Sequence, residues 1–173
     1  MMNYRRNRLP GGTYFFTVVT TNRTPLFNNL AAVQRLRTTL RSVMNRHPFS
    51  IDAMVVLPDH IHCLWTLPAD DTNYSTRWRL VKSGFTKSFH QHSQGKTGRS
   101  RSLWQKRYWE HTIRDENDFK RHVDYIHYNP VKHGYVTRAA DWPYSSFHRF
   151  VRKGILPMDW GINEVELEGF GSE

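Results

Sequence analysis

The spacing of apolar positions changes several times along the chain, and each change marks an element. After Gly11-Gly12, the run Thr13-Tyr14-Phe15-Phe16-Thr17-Val18-Val19-Thr20 is β-branched and aromatic, which predicts a buried strand. From Leu30 to Arg46 the apolar residues fall at Leu30, Val33, Leu36, Leu40, Val43 and Met44 with arginines between them, the pattern of an amphipathic helix stopped by His47-Pro48. Ile51 to Leu57 and His60 to Leu67 are two apolar runs joined by Pro58-Asp59, a tight turn between antiparallel strands. Tyr74 to Gln94 carries Trp78, Val81, Phe85 and Phe89 on one side and predicts a second helix. Residues 93–102 are Gly/Ser-rich and basic, hence a loop, and Arg107 to Ile113 predicts a fourth strand. Asp115-Glu116-Asn117-Asp118 then opens a third helix with acids at its positive end, and Asn129-Pro130 is expected to close it.

The order strand, helix, strand, strand, helix, strand is the split βαβ of an α+β, ferredoxin-like fold: an antiparallel sheet with helices on one face. The third helix is the natural cover for the other face.

A chain of 173 residues fits one domain, with a core large enough to need no disulfide. The single cysteine, Cys63, excludes an intramolecular disulfide and a cysteine-cluster zinc site. Hydrophobic residues are only 38%, but aromatics are 14%, which argues against disorder. The apolar runs are far too short for a membrane span, and Met1-Met2-Asn3-Tyr4-Arg5-Arg6 is followed by no signal-like apolar stretch. The expectation is a soluble, cytoplasmic protein without a membrane partner.

Charge narrows the function. The net charge is +10 and the pI near 10.0. Residues 1–50 hold eight arginines and no acid, whereas residues 159–173 hold five acids and no Lys or Arg. The division is therefore a basic domain over 1–158, carrying +15, and an acidic tail over 159–173, carrying −5, for which a regulatory role and a merely solvated one are equal readings. Arginine forks read phosphate bidentately and aromatic rings stack on bases, so a basic, aromatic-rich domain points to single-stranded nucleic acid.

Two places carry chemistry. In His60-Ile61-His62 the alternation of a strand puts both imidazoles on one face, able to reach one metal ion, with Ile61 and Cys63 on the other. Paired histidines on strands also occur as plain polar sheet positions. On the third helix, Phe119, Val123 and Ile126 form a core-facing arc, and Tyr125 and Asn129 stack on the adjacent stripe with Asp118 and His122. There Tyr125 can present a hydroxyl to a substrate, and Asn129, one turn on, an amide oxygen to a metal. Asp124 and Tyr128 fall toward solvent.

Leu57-Pro58-Asp59-His60-Ile61-His62, together with Tyr125-Ile126-His127-Tyr128-Asn129-Pro130-Val131-Lys132-His133-Gly134, resembles the REP-associated tyrosine transposases, relatives of the single-tyrosine HUH (His, hydrophobic, His) transposases. The Gly11–Thr17 segment and Trp142-Pro143-Tyr144-Ser145-Ser146 are similar to that family as well. The resemblance implies an HUH endonuclease fold. It implies that His60, His62 and Asn129 hold a divalent metal, Mg²⁺ or Mn²⁺, acting as a Lewis acid on a scissile phosphate. It makes Tyr125 the nucleophile that forms a 5′-phosphotyrosine, which a free 3′-OH can attack to rejoin the DNA. The implied substrate is a single-stranded REP palindrome folded as a hairpin, and the implied state a monomer, with a dimer as the alternative. Arg5, Arg6 and Arg8 are candidates for hairpin contacts, and Lys96, Arg99, Arg101, Lys106 and Arg107 for the flanking strand. The competing readings are a non-catalytic single-strand binder, which lacks a matching RNP signature, and an HUH replication initiator or relaxase.

Overall fold

The computed structural model describes residues 6–92, 102–163, 165 and 167. A turn closed by the Gly12 N–H donating to Leu9 O leads into the first strand. Gly11 sits there at φ +63, where an added Cβ would also press on the Ala69 backbone at 3.0 Å. The elements that follow are β1 (Thr13–Val19), α1 (Leu30–Arg46), β2 (Ser50–Val56), β3 (His60–Thr66), α2 (Tyr74–His92), β4 (Trp109–Thr112), α3 (Glu116–Lys132) and α4 (Phe147–Arg152).

The four strands form one antiparallel sheet in the order β2-β3-β1-β4, the ferredoxin-like arrangement expected from the element order. Alternation along each strand supplies two faces. Tyr14, Phe16, Val18, Ile61, Cys63 and Trp65 pack with Leu36, Leu40, Val81 and Phe85 of α1 and α2. Trp65 lies flat on Trp78, ring centroids 4.1 Å apart, and truncating either would cost about 3–5 kcal/mol. On the opposite face Phe15, Ala53, Val55 and Leu64 pack against Val123, Tyr125 and Ile126 of α3. Both faces are therefore covered, and β3 is buried from His60 to Trp65.

The two sheet edges differ. Along β2 the chain returns at residues 144–146: Val56 N–H donates to Tyr144 O at 2.9 Å, and Ser146 N–H to Met54 O at 2.8 Å. The β4 edge has no such cover among the described residues.

One boundary departs from the expectation. Helix α3 starts as read, with Asp115 capping the Asp118 N–H at 2.8 Å, but it continues through Pro130 to Lys132. Proline removes one N–H, and a helix held by its packed face absorbs that loss. The stop is a Schellman cap: Gly134 takes φ +72, its N–H donates to Val131 O, and the Tyr135 N–H donates to Pro130 O. The extra residues carry Lys132 back to the face of Tyr125, since positions seven apart on a helix nearly eclipse. Among the described residues no helix is long and apolar enough to cross a membrane.

Candidate active site

The register of the sheet places His60 and His62 beside each other under α3. Their ring centroids are 4.8 Å apart, and Thr17 of β1 lies opposite His62. Each ring is held through its Nδ1. His60 Nδ1 bonds Asp59 Oδ1 at 2.6 Å and His62 Nδ1 bonds Thr17 Oγ1 at 2.8 Å. Asp59 is fixed in turn by Arg23 at 3.2 Å. Burial raises the Asp59 carboxyl, but the hydrogen bond and charge of His60, with Arg23, outweigh it and hold the group below its ordinary value. A histidine anchored at Nδ1 by a carboxylate or hydroxyl offers Nε2 as its ligand atom, the arrangement found where imidazoles bind metal.

Helix α3 crosses these rings. Tyr125 lies edge-on to His62 with centroids 5.2 Å apart, and His133 at the helix end lies 5.3 Å from His60. Asn129, one turn after Tyr125 and one before His133, falls between those two contacts. Its side-chain amide is fully buried, and neither its oxygen nor its nitrogen has a hydrogen-bond partner among the described residues. An unpaired buried amide costs about 1–3 kcal/mol, so its place between two histidine contacts calls for a ligand. Two imidazole nitrogens and an amide oxygen are a donor set that fits a divalent cation.

The tyrosine has a partner that the sequence reading missed. Lys132 Nζ donates to the Tyr125 hydroxyl at 3.2 Å and sits 4.8 Å above its ring. The signal was present in His133-Gly134, which marks a helix end beyond Pro130. Tyr125 itself is only 2% exposed, so it does not open onto a cleft as its stripe suggested. Leu167, from the acidic tail, packs against the cluster containing Tyr125. Asp124 and Tyr128 are half-buried rather than fully solvated.

Comparison with known proteins decides the family. The model of the family described as "Transposase IS200 like" matches residues 10–129. The chain belongs to that family. A REP-associated tyrosine transposase of Escherichia coli (strain K12) is 47% identical over 160 residues, covering 92% of this chain and 91% of its own. A Haemophilus influenzae relative of the same description is 44% identical, covering 98% and 99%. A solved REP-associated tyrosine transposase bound to a REP hairpin superposes with a TM-score of 0.82 at 43% identity, covering 96% of each chain. The chain thus groups with the REP-associated tyrosine transposases within that family, as a DNA transposase/endonuclease with the expected fold.

A second histidine group lies next to the first. His111, Asp118 and His122 have ligand atoms within 4.8 Å of one another, the one such group of three among the described residues. Thus the transposase carries side chains able to hold a metal ion. In this group, however, the carboxylate is heavily engaged: Asp118 Oδ2 accepts from His111 Nε2 at 2.8 Å and from the Arg114 backbone at 3.0 Å. Burial raises Asp118, yet these bonds and the charges of His111 and His122 prevail and set it at about 2.

The basic candidates fall apart in space. Arg5, Lys96, Arg99 and Arg101 lie outside the described residues. Arg6 and Lys106 line an open groove of about 560 Å³ on the α2 side of the sheet, away from His60 and His62. Arg6 also bonds the Tyr108 hydroxyl at 2.8 Å, so part of its role is packing. In the same groove burial and the Arg6 charge lower Lys82 to about 8. Arg8 and Arg107 are exposed.

Proposed function

We propose that this transposase cleaves and rejoins single-stranded DNA at REP-type hairpins, with Tyr125 as nucleophile and His60, His62 and Asn129 holding a divalent ion, Mg²⁺ or Mn²⁺. The observation that carries the reading is the Tyr125 ring packed edge-on to the His62 ring, with its hydroxyl held by Lys132. A divalent ion bound there would supply a Lewis acid for the scissile phosphate. Asp59 and Thr17 keep the two imidazoles oriented, and Asn129 completes the donor set. The Lys132 ammonium, hydrogen-bonded to the phenol, favours the phenolate of a side chain whose ordinary pKa is near 10. Tyr125 Oη attacks phosphorus in line and the P–O3′ bond breaks. O3′ leaves with the bonding pair and takes up a proton, and the 5′ end remains as a phosphotyrosine. Attack by a free 3′-OH reverses the step, so rejoining needs no ATP.

The hairpin comes to this chain from the solved relative that holds one. The acidic tail fits a restraining role, since it bears −5 against a +15 body and its Leu167 packs at the Tyr125 cluster. Incubating the protein with a labelled REP hairpin, with and without Mn²⁺ or Mg²⁺, tests the proposal. A denaturant-resistant protein–DNA adduct that requires the metal is the expected product. Metal-dependent cleavage without any adduct would remove the tyrosine mechanism.

A further inference from the structure

Trp109 is the most exposed large hydrophobic side chain among the described residues, at 61%. Its place is set by register. It opens edge strand β4 opposite Thr17, and Thr17 lies opposite His62 on β3. His62, Thr17 and Trp109 therefore form one rank across three strands, on the sheet face that α3 covers. At about 4.8 Å per strand the indole starts roughly 10 Å from His62. The next residue on that face, His111, is roofed by the His122 ring at 4.7 Å, whereas Trp109 lies beyond the roof. Thr17 in turn bonds His62 Nδ1, so the indole neighbours the group that orients a proposed metal ligand.

Trp109 also ends an open groove of about 600 Å³ along the outer edge of β4, with Asn7 and Leu9 on one wall and exposed Arg114 at the other end. Exposed Arg107 precedes it by two positions in the chain. A second copy pairing here would set like charges against each other across a strand of four residues, whereas a polyanion is attracted.

We propose that Trp109 is a base-stacking platform: it holds a nucleobase of the single strand that flanks the scissile phosphate, with Arg107 and Arg114 facing the phosphates. Stacking suits this place because every base has a π-face, so the contact fixes the strand's path without reading its sequence. The proposal rests on the cleavage reading above, and its test separates the two.

The wild type, Trp109→Ala and Trp109→Phe are compared on a REP hairpin with single-stranded flanks, intact or carrying one abasic site at each flank position in turn. Dissociation constants and adduct yields are both measured. With the wild type, one abasic position should weaken binding by about ten- to a hundredfold. Trp109→Ala should lose a similar factor on the intact strand and nothing further at that position, while Trp109→Phe keeps most of the affinity. Unchanged affinity in Trp109→Ala, or abasic losses that simply multiply with it everywhere, would overturn the proposal. So would a sedimentation shift to a smaller species in Trp109→Ala with DNA affinity intact, which would make the edge a contact between copies. Binding decides the point even if no adduct forms, so failure of the cleavage chemistry is read separately.

Discussion

Two histidine groups flank one ring, Phe15. His62 stacks on it at 5.6 Å and His122 packs against it at 4.7 Å. Both groups have ligand-type side chains in a small space, yet their bonding differs. At His60 and His62 the supporting groups, Asp59 and Thr17, engage only Nδ1. At the second group the carboxylate sits at the centre and ties β4 to the start of α3, bonding His111, the Arg114 backbone and the Arg114 side chain. Proximity of His and Asp does not by itself make a centre for chemistry. The carboxylate of the second group is committed to tying β4 to α3, the arrangement of a strut, and the first group is the one proposed above for catalysis.

The sharpest break between the groups is by substitution. His60→Ala or His62→Ala should lower metal-dependent cleavage roughly 100-fold or more while leaving the melting temperature near that of the wild type. His111→Ala should do the reverse: cleavage within a few-fold, and stability down by about 1 kcal/mol. Denaturant melts beside cleavage rates on the same preparations check both. A His111 variant that loses cleavage while remaining stable would reverse the assignment.

Next in size is Lys132. Replacement by Gln should lower kcat roughly 10- to 100-fold with hairpin affinity little changed, because the ammonium acts on the attacking oxygen. Arginine at this position should recover part of the rate. An equal loss in the Arg and Gln variants would leave Lys132 as packing for the Tyr125 ring.

Shortening the chain to end at Met158 should raise the cleavage rate a few-fold at low salt. The gain should shrink as salt screens the tail's attraction over a Debye length of about 8 Å at physiological strength. Equal rates at low salt would make the tail a spectator.

The smallest effect concerns the strut at low pH. Asp118 has a folded-state pKa of about 2, below the value near 3.9 of an unfolded aspartate. The unfolded chain binds the proton first, so this contribution is complete above about pH 4 and is lost as pH falls through about 2. Unfolding curves for the wild type should weaken across that window, and Asp118→Asn should flatten the change.

Much of this was legible in the residues. Alternation in β1 and β3 and the helical period of α1 gave elements within a residue or two of those observed, because these segments bury one regular face. Strand alternation also separated His60 and His62 from Cys63, which is buried on the α1/α2 side. Lys132 was hidden because Pro130 reads as a stop in isolation, and only packing against the sheet carries the helix past it. Thr17 could not be recognised, since its contact with His62 depends on register between strands 45 positions apart. The full burial of Tyr125 was hidden for a like reason: periodicity reports the facing of a helix, not what is laid over it.

The central claim is that Tyr125, and no other tyrosine of α3, attacks the DNA. The direct measurement traps protein with Mn²⁺ on a REP hairpin labelled on the 3′ side of the cleaved phosphate, the piece that stays on the tyrosine, and compares Tyr125→Phe with Tyr128→Phe. Tyr125→Phe should give no denaturant-resistant adduct while binding the hairpin within a few-fold of wild type, and Tyr128→Phe should form it normally. An adduct that persists in Tyr125→Phe and disappears in Tyr128→Phe would contradict the assignment.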